Sequence, residues 1–480
     1  MKPIPFLIAL LCVFCLCVSA VPMPAPNIVL LLADDLGWTD LGCYGADLLE
    51  TPHLDRLAQE SVRFTEAYAM PLCSPSRAAL LTGRNAARLR VTHIMEAALS
   101  GGPKNRRLLN ADTLPYLPHT ETTLAKYLHE AGYLTALVGK WHLGDADYYP
   151  ETHGFDVNIG GTRWGAPHTH FWPYSGTGRF YAGEFRYVPH LEFGHPGEYL
   201  TDRLTDEALR IIDHANGQPF FLYFAHHAPH LPIEAKPADV EYFTSKLRSG
   251  MNHQNPTYAA MVKTLDESVG RVLAHLKKRG LDKNTIVIFT SDNGGEIHPD
   301  KGQKVPITSN VPLRSGKGTL YEGGIRVPLL VRWPGVTPKG TACSEPVALW
   351  DLFHTLLAGN SSAQARSAAD SDGLDLTPLL KNPAGKLDRD ALFFHFPNYN
   401  LSPPVGAIRA RDWKLLEYFE DNRVELYNLR DDISEQHDLA AGMPEIAADL
   451  RKRLQAWRAS VGAAMPKPNP AFNLDVARPR

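Results

Sequence analysis

The hydrophobic residues of this chain are concentrated in short runs that alternate with amphipathic segments. Four apolar runs end in polar residues: NIVLLLADDLG (27–37), YLTALVGKWHLG (133–144), QPFFLYFAHHAPHLP (218–232) and NTIVIFTSDNGG (284–295). Runs of this kind predict buried parallel strands. The spacing of amphipathic helices is found in TPHLDRLAQES (51–61), TETTLAKYLHEAG (120–132) and TYAAMVKTLDESVGRVLAHLKKRG (257–280). The alternation predicts an α/β fold, with a large domain whose mainly parallel or mixed central sheet is flanked by helices.

The pattern changes after residue 345. Short antiparallel strands are predicted in DALFFHFPNY (390–399), GAIRARDWKLLEYF (406–419) and RVELYNLRDD (423–432), followed by a closing helix in 443–462. We therefore expect a large domain over 21–345 and a small C-terminal α+β subdomain with an antiparallel sheet over 346–465. A proline-rich tail over 466–480 completes the chain.

The first 20 residues have the pattern of a secretory signal. Lys2 precedes an apolar run from Phe6 to Val18, which is too short to cross a bilayer comfortably, and Val18-Ser19-Ala20 fits a cleavage site. This predicts a secreted or periplasmic protein with no membrane association after cleavage. An uncleaved anchor is the alternative interpretation.

Composition narrows the function classes. The chain has 480 residues, 44% of them hydrophobic and 21% charged, and a formal net charge of -3, so nothing favours a nucleic-acid partner.

Three of the six cysteines lie in the predicted signal, which leaves Cys43, Cys73 and Cys343. At most one disulfide can form, and the sequence does not decide whether Cys43 and Cys343 pair. Cys73 remains open as a core residue, a disulfide partner, a metal ligand or a nucleophile.

Polar residues at the strand ends indicate a metal site beside an anion site. Asp34 and Asp35 follow one strand, and Asp292 and Asn293 follow another. Their oxygen atoms suit Ca²⁺ or Mg²⁺, and open α/β sheets bind ligands at this edge. Loops and strand ends also supply basic or titratable side chains that could offset a tetrahedral anion such as sulfate or phosphate: Arg77, Lys140, His142, His230 and Lys317.

Several motifs together resemble one family. CSPSR (73–77) is followed by Leu81, Gly83 and Arg84, and the chain also contains GYLTALVGKWH (132–142), HAPHLP (227–232), SDNGG (291–295) and GKGTLYEGGIRVP (316–328). In this order, with the ADD strand end, they resemble the type I, formylglycine-dependent, arylsulfatase-like sulfatases of the alkaline phosphatase superfamily. The resemblance extends from about residue 27 to residue 440.

The resemblance implies a modified Cys73 and a role for each polar residue. A formylglycine-generating or maturase enzyme would oxidise Cys73 to an aldehyde, whose hydrate attacks sulfur. Asp34, Asp35, Asp292 and Asn293 would hold Ca²⁺ or Mg²⁺, with the modified Cys73 at the edge of the ligand shell. Arg77 would orient the diol, and Lys140 and Lys317 would bind sulfate oxygens. His142 would be the base for sulfate release, and His230 the general acid.

The substrate is predicted from aromatic and basic loop residues. GGTRWGAPHTHFWPY (160–174) supplies Arg163, Trp164, His168 and His170, and FFHFPNY (393–399) supplies His395. Such side chains bind sugars, although each could instead pack in the core or in a loop. With the predicted export, they favour a sulfated saccharide, of galactose or N-acetylgalactosamine type.

Three other functions are considered. A phosphate or phosphonate monoester hydrolase of the same superfamily is disfavoured by Lys140, His142 and Lys317, which match sulfatase motifs. A non-catalytic glycan-binding protein would require a decayed site, whereas every assigned position is intact. A sulfuryl transferase would need an acceptor other than water, and the sequence indicates none.

Overall fold

The computed structural model describes residues 25–180, 182–191, 193–358 and 371–473. The predicted signal over 1–20 and the last residues of the predicted tail, 474–480, lie outside the described residues. Within the described ranges, none of the helices is both long enough and apolar enough to cross a bilayer.

Strands and helices alternate over the first two thirds of the chain, as predicted. The strands are β1 (Asn27–Ala33), β2 (Val62–Tyr68), β3 (Leu108–Leu109), β4 (Leu134–Gly139), β5 (Val157–Ile159), β6 (Gly176–Thr177), β7 (Phe185–Arg186), β8 (Phe220–Ala225), β9 (Thr285–Ser291), β10 (Arg326–Arg332), β11 (Thr341–Cys343), β12 (Val347–Ala348), β13 (Leu392–Phe396), β14 (Val405–Ala410), β15 (Trp413–Tyr418), β16 (Val424–Asn428) and β17 (Lys467–Pro468). The helices are α1 (Pro52–Gln59), α2 (Cys73–Thr82), α3 (Ala86–Leu89), α4 (Met95–Ser100), α5 (Leu124–Glu130), α6 (Leu200–His214), α7 (Pro237–Lys246), α8 (Pro256–Lys278), α9 (Glu322–Ile325), α10 (Asp351–Ala358), α11 (Thr377–Lys381) and α12 (Pro444–Ser460).

The large sheet is mixed. In the described residues it has nine strands in the order β11-β2-β10-β9-β1-β8-β4-β5, with β12 also paired to β2. Strands β9, β1, β8 and β4 are neighbours and run parallel, whereas β10 is antiparallel to both β2 and β9. The predicted α/β class is therefore confirmed.

Strand β1 shows why its sequence is continuously apolar. Ile28, Leu30 and Leu32 pack on one side of the sheet, in the core that also contains residues of α2, α5 and α10. Val29, Leu31 and Ala33 pack on the other side, against α1, α6, α7 and α8. A strand with helices on both faces has no solvent side, so the period-2 polar pattern is absent.

The small antiparallel sheet, β13-β14-β15-β16, carries α12 on one face. Its other face packs with residues of the large domain, among them Tyr68 and Ile325. Strand β12 and helix α10 belong with the large sheet and its core, so that layer continues past residue 345.

A buried ion cluster links the two parts of the molecule. The Lys414 ammonium, on β15, lies 2.9 Å from Glu322 at the start of α9 and 2.9 Å from Glu435. All three side chains are fully or almost fully buried.

Candidate active site

The polar side chains predicted for the site follow adjacent parallel strands. Because β9, β1, β8 and β4 are neighbours, their carboxyl ends meet at one edge of the sheet. At this edge, Asp34 and Asp35 follow β1, Lys140 and His142 follow β4, His230 comes after β8, and Asp292 and Asn293 follow β9.

The acidic residues are buried and connected to one another. Asp35 has φ 64°, and its backbone N–H donates to Asp292 Oδ1 at 3.2 Å. Its side-chain Oδ1 accepts from Asn293 Nδ2 at 2.8 Å. Asp34, Asp292 and Asn293 are completely inaccessible to solvent. Burying acidic groups this closely costs free energy unless cations accompany them.

Two buried cations accompany these acids. The Arg77 Nε donates to Asp292 Oδ2 at 2.9 Å, and its Nη1 donates to the Lys140 carbonyl at 2.8 Å. The Lys140 ammonium donates to both oxygens of Asp34, at 2.8 and 2.7 Å. Arg77 and Lys140 therefore have fixed positions at the sheet edge.

Cys73 is the first residue of α2, and its side chain faces this cluster. Its Sγ lies 3.3 Å from His142 Nδ1. Burial alone would raise the pKa of the Cys73 thiol, but Lys140 and His142 lower it to about 7. Cys43 and Cys343, like Cys73, are free thiols, so the pairing that the sequence left open does not occur.

Lys317 and His230 form the opposite side of the cluster. Lys317 Nζ donates to Asp35 Oδ2 at 2.6 Å and lies 3.1 Å from His230 Nε2. The other ring nitrogen of His230, Nδ1, lies 2.9 Å from the Leu231 carbonyl oxygen, to which it donates. Since Nδ1 faces the Leu231 carbonyl, Nε2 is the nitrogen that faces the cluster. Burial lowers the pKa of His230 well below its usual range.

Glu96 is a site residue that the sequence did not indicate. Its Oε2 lies 2.8 Å from His142 Nε2, and its Oε1 accepts from the backbone N–H of Gly165 at 3.2 Å. Burial would raise the pKa of Glu96, but His142 and Arg186 hold it well below its usual range. An ionised carboxylate can only accept, so His142 donates from Nε2 and Nδ1 remains for residue 73.

The acidic side chains fit a hard divalent cation. Ligand atoms of Asp34, Cys73 and Asp292 lie within 4.8 Å of one another, as do those of Asp34, Asp35 and His230. Asn293 Oδ1 is buried and accepts no hydrogen bond from the described residues. A buried amide oxygen without a partner, beside three carboxylates, matches the oxygen ligands of Ca²⁺ and Mg²⁺.

Four predicted substrate residues lie in the loop beside His142 and His230. Arg163 pairs with Asp145 at 2.8 Å, and its guanidinium carbon lies 4.5 Å from the centre of the Trp164 ring. His168 is half-buried. His170 is buried, and its Nε2 lies 3.2 Å from the His230 carbonyl oxygen, which makes it a support for the His230 backbone.

The structure does not bring His395 to the cluster. It is buried in the small sheet, with Nε2 2.9 Å from the Ala464 carbonyl oxygen and its ring beside Phe419. Its neighbours Phe394 and Phe396 contact the large domain, so the side chain of His395 points to the opposite face.

The family model described as Sulfatase matches residues 26–358, and the model described as N-sulphoglucosamine sulphohydrolase, C-terminal, matches residues 316–460. This chain belongs to the sulfatase family. The enzyme is thus a sulfatase, and the cluster around Cys73 lies within the matched region.

Several sulfatases are similar over most of their length. N-acetylgalactosamine-6-sulfatase of Rattus norvegicus is 36% identical over 84% of this chain and 74% of its own length. Steryl-sulfatase of Mus musculus is 34% identical over 88% of this chain and 76% of its own length. The crystal structure of Ps i-CgsB in complex with k-i-k-neocarrahexaose superposes with a TM-score of 0.74 at 31% identity, covering 93% of this chain and 94% of that chain.

Proposed function

We propose that this sulfatase hydrolyses a sulfate ester on a sulfated saccharide, with a formylglycine derived from Cys73 and a bound divalent cation. The observation that carries the proposal is the position of Cys73. Its Sγ lies beside His142, and its ligand atom is within 4.8 Å of those of Asp34 and Asp292. Three fixed cations, Arg77, Lys140 and Lys317, lie around this position.

Asp34, Asp35, Asp292 and Asn293 are the residues that would hold the cation, Ca²⁺ or Mg²⁺. When bound, it would polarise the oxygens of the sulfate and of the aldehyde hydrate. Arg77 stays paired with Asp292 and keeps that carboxylate oriented. Lys140 and Lys317 would add positive charge on either side of the sulfate, where negative charge develops during the reaction.

Formylglycine would supply a hydrated aldehyde whose two hydroxyl groups act in turn as nucleophile and as the group that releases sulfate. A serine in its place would leave a stable sulfate ester. His142 presents Nδ1 to residue 73, which is the position required to accept the hydroxyl proton. Glu96 accepts from Nε2 of the same ring and keeps Nδ1 free for this step.

His230 would serve the departing oxygen. Its Nε2 faces the cluster between Lys317 and Asp35, at 3.1 and 3.4 Å. Its backbone is supported by the buried His170. As the general acid, His230 would take a proton on Nε2 when the anionic sulfate ester binds beside it, and would pass this proton to the sugar oxygen, which is a poor leaving group as an alkoxide.

Two relatives support the saccharide class, since one is named N-acetylgalactosamine-6-sulfatase and the other was crystallised in complex with k-i-k-neocarrahexaose. The loop with Arg163, Trp164 and His168 offers stacking and ion-pairing groups next to the site. A galactose or N-acetylgalactosamine sulfate is therefore the proposed substrate. The proposal also includes export by the 1–20 signal and a formylglycine-generating or maturase enzyme as partner during biogenesis.

Mass spectrometry and substrate comparison test the proposal together. The Cys73 peptide of active enzyme should be lighter than its thiol form, as expected when CH₂–SH becomes CHO. Inorganic sulfate should be released from galactose or N-acetylgalactosamine sulfates faster than from a steroid sulfate. Nitrophenyl sulfate should be cleaved in preference to nitrophenyl phosphate. An unmodified Cys73 in fully active enzyme would reject the formylglycine. Faster cleavage of nitrophenyl phosphate would reject the sulfatase specificity, and faster cleavage of the steroid sulfate would reject the saccharide substrate.

A further inference from the structure

A cavity of about 360 Å³ lies next to the catalytic cluster. This volume is in the range of about 300–1,000 Å³ that is typical of ligand pockets. Apolar surface comes from Phe180, Leu231 and Pro232 among others. The ionisable side chains that line it are Arg179, His298, Lys301, Glu296 and Asp300.

One wall of the cavity is bonded directly to catalytic residues. The Leu231 carbonyl oxygen accepts from His230 Nδ1 at 2.9 Å. On the other side, the backbone N–H of Lys317 donates to the Gly295 carbonyl at 3.1 Å, and Glu296 follows in the chain. Leu231 and Glu296 therefore connect the wall of the cavity to His230 and Lys317 of the cluster.

The aromatic wall is also fixed to the site. The Arg186 guanidinium carbon lies 4.0 Å from the centre of the Phe180 ring, and Arg186 Nη2 lies 3.6 Å from Glu96 Oε1. Arg179 forms an ion pair with Glu234 at 2.6 Å, and Glu234 accepts from the backbone N–H of His170 at 2.9 Å. The residues that hold His142 and His230 therefore also hold this wall.

We propose that this cavity binds a neutral sugar unit attached to the sulfated one, an inference that rests on the proposed function. The face of a sugar ring is apolar and packs against an aromatic ring such as Phe180, while its hydroxyls need hydrogen-bonding groups around the rim. Arg179 is paired with Glu234, and His298 with Glu296. The two lining charges that remain, Lys301 and Asp300, are of opposite sign, which favours an uncharged ring over a second sulfate or a uronate. Since the cavity wall joins the cluster through Leu231 and Glu296, the bound ring would be the direct neighbour of the sulfated sugar.

The test compares a sulfated monosaccharide with a disaccharide in which the same sulfated sugar is joined to an unsulfated, uncharged sugar. Galactose 6-sulfate and N-acetylgalactosamine 6-sulfate serve as the monosaccharides. Wild-type kcat/KM should be at least about tenfold higher for the disaccharide, and Phe180→Ala should remove most of this advantage by raising KM. Phe185→Ala is the matched control, because Phe185 is 54% exposed and stacks on Tyr187 outside the cavity. It should keep the advantage.

The outcomes separate this inference from the proposed function. Equal kcat/KM values for the monosaccharide and the disaccharide would overturn the inference. An equal fall of kcat/KM on the two substrates with Phe180→Ala would overturn it as well. Either result would leave the proposed saccharide sulfatase activity standing. A higher kcat/KM for a disaccharide with a uronate neighbour would overturn the neutral assignment. Failure of the wild type to hydrolyse any sulfated sugar would reject the proposed function and the inference with it.

Discussion

The Glu96 carboxylate lies 2.8 Å from Nε2 of His142, and the opposite nitrogen of that ring lies 3.3 Å from Cys73 Sγ. A carboxylate, an imidazole and the reacting side chain thus form one buried line. The arrangement fixes both the orientation of the imidazole and the nitrogen that carries its proton.

Removal of this contact should slow the reaction without weakening substrate binding in proportion. We expect Glu96→Ala to lower kcat by about 10²-fold, because His142 can then turn or change tautomer. Glu96→Gln retains an acceptor and should lose less. Both are compared with Glu121→Gln. The Glu121 carboxylate lies 2.8 Å from the Arg84 guanidinium, in an ion pair outside the cluster. A kcat for Glu96→Ala equal to that of the wild type would contradict the positioning role.

Loss of His230 should depend on the leaving group. A nitrophenolate leaves readily without a proton, whereas a sugar alkoxide does not. His230→Ala should therefore lower kcat/KM for a saccharide sulfate by about 10²-fold or more, and much less for nitrophenyl sulfate. The two rates are measured on one preparation with the same metal content. Equal losses on both substrates would show that His230 does not serve the departing oxygen.

Asn293 should control metal content. Asn293→Ala deletes the buried Oδ1 that has no partner in the described residues, and we expect calcium affinity to fall by at least about tenfold. Elemental analysis after dialysis gives the bound metal, and thermal unfolding with and without chelator gives its effect on stability. Asn398→Ala is a matched control. Asn398 is also buried, its Oδ1 has no partner within the part of the chain that the structure describes, and its Nδ2 donates to Thr92 away from the cluster. Equal metal content in the two variants would exclude Asn293 as a ligand.

The ion cluster between the two sheets should make stability depend on pH. Burial raises the pKa of Glu435 from its usual 4.5 to about 7, although the nearby Lys414 acts to lower it. Between these values the folded state binds more protons than the unfolded state. Stability should therefore be greatest below pH 4.5 for this group and fall as pH rises to about 7, by at most about 1.4 kcal/mol per pH unit.

Glu435→Gln removes this titration and keeps an acceptor for the Glu322 backbone N–H, which lies 2.7 Å from Glu435 Oε2. The Tm difference, wild type minus variant, should become more negative from pH 5 to 7. All other groups contribute to both proteins and cancel. Parallel Tm curves would show that Glu435 does not titrate in this window.

The sequence was sufficient to propose those site residues whose positions depend only on the order of the strands. Asp34, Lys140, His230 and Asp292 all follow neighbouring parallel strands, and such strand ends converge whatever the loops do. Glu96 could not be found this way, because it lies on the six-residue helix α4 and reaches His142 only through tertiary contact. His395 shows the opposite difficulty: it lies in an aromatic segment, but alternation along β13 points it away from the large domain.

The pairing of Lys414 with Glu322 has a consequence for how such a chain can be shortened or recombined. A fragment that ends at residue 358 would contain every residue of the Cys73 cluster. In this fragment the Glu322 carboxylate, five residues after Lys317, would lose its contact with the Lys414 ammonium. Apolar residues such as Ile325, which pack against the small sheet, would face water. Within such a fragment Glu322 would keep Arg326, at 3.2 Å, as a cationic partner. We therefore expect an exchanged C-terminal part to dock most stably when it supplies a second cation for Glu322.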